Sequence, residues 1–248
     1  MKAIILEKLK YIEHQFEVRI LYASESGSRA WGFASTDSDY DVRFIYVHKM
    51  DYYLSIDDNR DVIELPISDV LDISGWELRK ALRLFRKSNA PLYEWLQSPI
   101  VYAADPNFVG VMKSLMSSNF STRAAMHHYL SMARRVFESE LSGEMVKLKR
   151  YFYALRPVLA AKWIADMKSF PLMEFKSLSV LMPDRISALV NELLSIKVKV
   201  DESFVIERKS DINAFIEESI RYCEARVPLA KNSDNDVELN KLFIKSIV

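Results

Sequence analysis

The chain has 248 residues, enough for one large domain or two smaller ones with their own cores, and its 50% hydrophobic and 27% charged content is that of a soluble globular protein. Lysine plus arginine equals aspartate plus glutamate at 34 each, so no global basic field draws in nucleic acid, and any such contact has to come from a local patch. The single cysteine, Cys223, excludes an internal disulfide and a cysteine-rich metal site, and fits a reducing cytoplasm as the expected compartment.

Taken in order, the opening MKAIILEKLKYIEHQF has too short an apolar run and too many charges for a signal peptide or a membrane span. Its spacing predicts an amphipathic helix over 2–16 with Ile5, Leu9, Ile12 and Phe16 on one face. A β-rich run from Val18 to Ala23 ends in Ser24, Glu25, Ser26, Gly27 and Ser28, after which 29–33 has room for a short helical turn. Asp39-Tyr40-Asp41 then leads into a second strand carrying Val42, Phe44, Ile45, Tyr46 and Val47. The polar, aromatic HKMDYYLSIDDNRD reads as a loop, followed by short strands at 60–66 and 69–74. Helical periodicity covers 74–96, with Leu78, Leu82 and Phe85 as its buried stripe and Pro91 dividing it in two; 100–103 reads as a last small strand, and Asp105-Pro106 caps a new helix. Helices are then expected at 106–116, 121–141, 144–167, 177–194, 211–226 and 236–245, with Pro157 bending or ending the third. The shift from mixed elements to helices alone predicts an α+β protein, with a mixed-sheet domain over 1–106 and an all-helical domain over 107–248, a bundle packed against the first.

The chemistry concentrates in LYASESGSRAWGFASTDSDYDVRFIYV, residues 21–47. Alternate strand side chains share a face, so Asp39 and Asp41 are expected to project together while Tyr40 points away. Two carboxylates side by side repel each other unless a cation lies between them, which makes a hard, oxygen-seeking ion the natural third party, Mg²⁺ or Mn²⁺. Gly27 permits a tight turn and close approach to a ligand, and Ser28 offers a hydroxyl and an N–H where a helix begins, together the makings of a phosphate cradle.

Gly27-Ser28, ten intervening residues and Asp39-x-Asp41 resemble the signature of the DNA polymerase β nucleotidyltransferase superfamily. The fuller strings ESGSRAWGF and SDYDVRFIYV look more closely like the bacterial and phage nucleotidyltransferases grouped with RNA repair. The resemblance covers about 18–165 and is densest at 24–47, 72–97 and 147–163. It implies a metal-dependent transfer of a nucleoside monophosphate from an NTP to an acceptor hydroxyl with release of pyrophosphate, and it makes an RNA end a reasonable acceptor. A third carboxylate commonly completes such a metal set. Asp72, between Leu71 and Ile73 on a strand just before a helix, matches the family's third position and would act as base toward the acceptor; Glu64 is the competing residue. Gly27, Ser28, Arg29 and Ser38 are expected at the triphosphate, with a surface ion pair as the other reading of Arg29 and a brace for Asp39 as that of Ser38. Lys80 follows in the GWxLRK-like run from Gly75, where a plain helix start with solvated charges explains it equally well. In KLKRYFYALRPVLAAKW, Lys149, Tyr153 and Arg156 share a helix face and are carried over as nucleotide contacts; a nucleic-acid track and an ordinary amphipathic helix are the other readings.

Adjacent His127 and His128 point in different directions on a helix with no acid or cysteine at ligand spacing, so helix packing is their expected role. Trp31 and Phe33 read as core ahead of the other reading, the lining of a base pocket, and the scattered methionines as gap fillers. Three other functions fit parts of the pattern: a catalytically silent nucleotide- or nucleic-acid-binding partner of the toxin–antitoxin kind, a small-molecule or protein nucleotidyltransferase, and a glycosyltransferase using Asp-x-Asp. The last expects a long Rossmann-like region ahead of the acids, and only 38 residues precede Asp39. Nothing in the sequence points to an oligomeric state.

Overall fold

Unbroken buried runs, residues 21–25 of Val18–Glu25 and residues 44–47 of Tyr40–His48, mark two strands pressed between layers, and the computed structural model builds the first part of the chain around them. Residues 1–56, 59–68, 70–229 and 236–248 are described. Residues 57 and 58 of the expected loop, and residue 69 at the start of an expected strand, lie outside them. The elements run α1 (Lys2–Gln15), β1 (Val18–Glu25), α2 (Gly27–Trp31), β2 (Tyr40–His48), α3 (Met50–Leu54), β3 (Val62–Glu64), β4 (Leu71–Glu77), α4 (Leu78–Arg86), α5 (Ala90–Trp95), β5 (Val101–Ala104) and α6 (Pro106–Asn119). They continue with α7 (Thr122–Glu140), β6 (Met145–Lys147), α8 (Leu148–Met167), α9 (Phe175–Leu178), a 3₁₀ turn (Ser179–Leu181), α10 (Asp184–Lys197), β7 (Val205–Glu207), α11 (Ser210–Glu224) and α12 (Asp236–Ile247). The protein is thus α+β, a mixed sheet followed by helices, as its sequence predicts. No helix among the described residues is long and apolar enough to cross a membrane.

Contacts divide the chain into two units. One comprises Met1–Gly27, Asp39–Phe120 and Ser233–Val248; the other comprises Ser28–Ser38 and Ser121–Asn232. These bounds differ from the expected division after residue 106. Helix α6 stays with the sheet because Phe108, Met112 and Met116 are buried and the Asp105 N–H donates to the Leu21 carbonyl at 2.8 Å.

In the first unit the strand order is β3-β4-β2-β1-β5, with β2 and β4 parallel and the other neighbours antiparallel. One face carries Val42, Phe44, Tyr46, Leu71 and Ile73 against Ile5, Leu9 and Ile12 of α1. Toward the other, Trp76 meets Trp95 of α5 with ring centroids 4.1 Å apart. The helix expected to begin at residue 74 begins at Leu78 instead, because β4 continues in parallel register through Tyr46↔Glu77. Gly75 makes that extension possible, since a Cβ there would lie 2.2 Å from the Phe44 ring. Glu77 then stops the strand and caps α4, accepting the N–H groups of Arg79 at 2.7 Å and Lys80 at 3.2 Å.

In the second unit α7, α8 and α11 pack together, and β6 pairs with β7. Helix α8 runs through Pro157, which was expected to bend or end it. A proline inside a helix costs about 3 kcal/mol, whereas burying an apolar side chain contributes roughly 1.5–3 kcal/mol. Leu155, Val158, Leu159 and Ile164 are all fully buried around it, so packing outweighs the break.

Candidate active site

The first unit brings Asp41 and Asp72 together. They are paired residues of the parallel strands β2 and β4, so their side chains leave the same face of the sheet. Arg43, two residues beyond Asp41, shares that face and lies between the acids: its Nη2 donates to Asp41 Oδ1 at 3.1 Å and to Asp72 Oδ2 at 2.6 Å. Its Nη1 donates to the Val42 and Asp72 carbonyls at 3.1 Å each. The cation demanded by two neighbouring carboxylates is therefore supplied in part by the chain itself. Asp39 is exposed and precedes β2 rather than belonging to it. Glu64 pairs with Ser74 in β3, one strand farther out, and is exposed.

Gly27, the first residue of α2, closes on Asp41. Its φ is +58°, and a Cβ there would sit 2.0 Å from Asp41 Oδ2, so only glycine lets the backbone and the carboxylate occupy these positions. The Ser26 N–H donates to the Asp41 carbonyl at 2.8 Å. Behind the acid lies Glu25, fully buried, whose Oε1 accepts the Asp41 N–H at 2.8 Å and whose Oε2 accepts the Tyr102 hydroxyl. Among the described residues no three His, Cys, Asp or Glu side chains form a ready-made metal cluster. Asp41 and Asp72 are nonetheless hard oxygen donors on adjacent strands with a positive charge already between them, a donor set that fits a divalent ion such as Mg²⁺ or Mn²⁺.

Lys80 is not brought to these acids. It follows the far end of β4, five residues beyond Asp72 at about 3.3 Å per residue, and its Nζ pairs with Asp61 at 2.8 Å.

The second unit gathers other predicted residues around 28–38. Arg29 Nη2 donates to the Ser38 carbonyl at 2.7 Å, and the Ser38 hydroxyl donates to Glu202 Oε1 at 2.9 Å. Lys149 pairs with the other oxygen of Glu202 at 2.7 Å. Burial works to raise the Glu202 pKa, but the hydrogen bonds from Lys149 and Ser38 hold it below the usual range. Ser28 is buried, and its carbonyl accepts the Phe33 N–H at 3.0 Å. Tyr153 meets the rings of Trp31 and Phe33 edge-on at 5.9 and 6.2 Å. Arg156 is 2% exposed; its Nε and Nη2 donate to the Met173 carbonyl at 3.2 and 3.1 Å, with the guanidinium 4.4 Å from the Trp31 ring centroid.

The profile of the RNA repair pathway DNA polymerase beta family, RlaP, matches residues 1–245. The chain belongs to this family. The RlaP chain is also 47% identical to the uncharacterized protein YcgL of Bacillus subtilis (strain 168), over 251 residues that cover 100% of this chain and 96% of that one. A crystal structure of a nucleotidyltransferase-like protein from Exiguobacterium sibiricum 255-15 aligns with 97% of this chain and 79% of its own, at 9% identity and a TM-score of 0.30, a likeness too slight to bear on the site.

Four residues of this RlaP member escape a reading by sequence motif. Arg43 carries a signal in hindsight, since a basic residue two places after an acid on a strand shares its face. Glu25 carries a weaker one, a charge closing an apolar strand. Glu202 and Lys197, the latter 1% exposed and donating to Ser35 Oγ at 2.8 Å, lie more than 160 residues from Ser38 and Ser35 respectively and give no local signal.

Proposed function

We propose that this protein transfers a nucleoside monophosphate from an NTP to an acceptor hydroxyl. The carrying observation is the register that sets Asp41 opposite Asp72, with Gly27 pressed against Asp41 so that no side chain blocks the approach. In this reading Asp41 and Asp72, joined by Asp39, hold Mg²⁺ or Mn²⁺, which when bound supplies positive charge to the phosphates. The acceptor oxygen attacks the α-phosphorus, the bond to the bridging oxygen of the β-phosphate breaks, and pyrophosphate leaves. The acceptor's proton passes to Asp72, placed as general base. Gly27 leaves room for phosphate beside the acid. Ser28, Arg29, Ser38, Lys149, Tyr153 and Arg156 are proposed as nucleotide contacts on the family resemblance alone. On the same ground the mixed-sheet part is proposed as catalytic and the helical part as nucleotide- or substrate-binding, with an RNA end as acceptor and the cytoplasm as compartment.

One observation favours a second reading. Arg43 already bridges Asp41 and Asp72, as a protein that binds nucleotide without turnover could afford to retain. Incubation with each labelled NTP, Mg²⁺ and separate pools of RNA, protein and metabolites distinguishes the two. Label on an acceptor supports transfer and identifies its class; NTP retained unreacted supports the binder. Asp39→Asn/Asp41→Asn and Gly27→Ala should each abolish labelling, and undiminished labelling in the double variant defeats the assignment.

A further inference from the structure

We infer that the exposed face of α4 is a docking track for the phosphodiester backbone of a single nucleic-acid strand. Residues 78–87, α4 and its C-cap, contain Arg79, Lys80, Arg83, Arg86 and Lys87 and no acid, in a chain whose formal net charge is zero. The basic residues at 79, 83 and 86 follow helical spacing along one face, while Leu78, Ala81, Leu82 and Phe85 are buried on the other. The charge that the composition spreads evenly is here concentrated into a line.

That line is built, not merely solvated. The Arg79 guanidinium lies 5.1 Å from the ring centroid of Tyr53 and 5.1 Å from that of Phe243. Aromatic rings fix its plane without using its N–H groups, and among the described residues it makes no hydrogen bond or ion pair. Arg83 is exposed, and its guanidinium likewise makes no hydrogen bond or ion pair among the described residues. The two arginines form a ridge shared by two hollows of 320 Å³ each, one bounded by Arg86, Asn240 and Phe243 and the other by Tyr52 and Lys80. The acids of the second hollow are already engaged: Asp61 pairs with Lys80, and Glu77 caps the helix and accepts the Tyr53 hydroxyl at 2.6 Å.

A planar guanidinium matches a phosphate with two parallel hydrogen bonds. Seven residues of helix, Arg79 to Arg86, span about 10 Å at about 1.5 Å each. Over that length the guanidiniums of Arg79, Arg83 and Arg86 are set one after another, so each meets its own phosphate along one strand. Guanidiniums strung in a line suit a repeating anion better than a single small one, for which they would have to converge.

Fluorescence anisotropy of a labelled single-stranded RNA, titrated with the full chain at several salt concentrations, tests this. Three phosphate contacts predict a log–log salt slope of about −2, and Arg83→Gln should weaken binding and reduce the slope by about 0.7. The triple variant Arg79→Gln/Arg83→Gln/Arg86→Gln should lose salt-dependent binding. Circular dichroism checks its fold, and the single Arg83→Gln variant, altered only at an exposed side chain, decides the matter if the triple variant unfolds. Failure of the wild-type chain to bind at low salt, an unchanged slope in Arg83→Gln, or displacement of RNA by polyglutamate as effectively as by unlabelled RNA each overturns the inference. The track is independent of the acid pair. An Asp41→Asn protein should bind RNA as the wild type does even if nucleotidyl transfer proves to be absent, so the two proposals fail separately.

Discussion

The backbone N–H of Asp41 donates at 2.8 Å to Oε1 of Glu25, a carboxylate with no solvent exposure. Its other oxygen accepts the Tyr102 hydroxyl, so one buried acid ties β5 to the start of β2. Removing an acceptor and leaving a buried donor unsatisfied costs about 1–3 kcal/mol. Glu25→Ala strands two donors and should destabilise the protein by roughly twice that, measured by urea denaturation, while Glu25→Gln keeps one acceptor oxygen and should lose less. Equal stability of Glu25→Ala and wild type would show that water replaces the carboxylate, and that Asp41 is positioned by β2 alone.

Arg43 occupies the two carboxylates proposed above as the ligands of a divalent ion. Arg43→Gln should therefore destabilise the metal-free protein by on the order of 1 kcal/mol, because Asp41 and Asp72 then repel without a counter-charge. Their side chains are 29% and 31% exposed, so solvent screens part of that repulsion. Addition of Mg²⁺ should stabilise the variant more than the wild type, since an ion that no longer displaces a guanidinium binds more tightly and stabilises through mass action. Thermal melts in EDTA and in Mg²⁺ measure this. An identical Mg²⁺ shift in both proteins would separate the guanidinium from the ion site.

What the sequence makes legible depends on the distance over which each interaction is written. Asp41, Gly27 and the two strands around them are visible because period-2 alternation and a turn glycine are local. The pairing of Asp41 with Asp72 is not, because a parallel register is set by the whole excursion between β2 and β4 and by Phe44 fitting against Gly75. Asp39 shows the limit of the local rule: the strand begins one residue later, at Tyr40, whose N–H is taken by the Val70 carbonyl at 2.8 Å. Glu25 hides because a buried acid and a solvated one look alike until their partners are known. Pro157 misleads in the opposite sense, since its local penalty is overcome by burial that only the folded helix supplies. The 28–38 segment belongs with the helical unit through Phe33, buried against Phe152 and Phe175 at 5.4 and 5.7 Å, contacts that no local pattern announces.

Lys197 offers the pH test of that segment. The residue is 1% exposed; its ammonium donates to Ser35 Oγ, lies 5.5 Å from the Phe33 ring centroid and feels the charges of Glu202, Lys149 and Asp37. Burial pushes its pKa below the ordinary 10.5. A base that releases its proton more readily when folded holds fewer protons than the unfolded chain between the lowered pKa and 10.5, so its contribution to stability improves as pH rises through that window. In Lys197→Met, which keeps the bulk and removes the charge, that gain should vanish. The difference in unfolding free energy, wild type minus variant, should then increase toward pH 10.5 with a slope of at most about 1.4 kcal/mol per pH unit. Buried tyrosines such as Tyr22, whose pKa burial raises to about 12, weaken both proteins alike at high pH and cancel in the comparison. Urea denaturation of the two proteins across this range makes the measurement, and parallel pH profiles would mean that Lys197 keeps its proton as easily inside the fold as outside it.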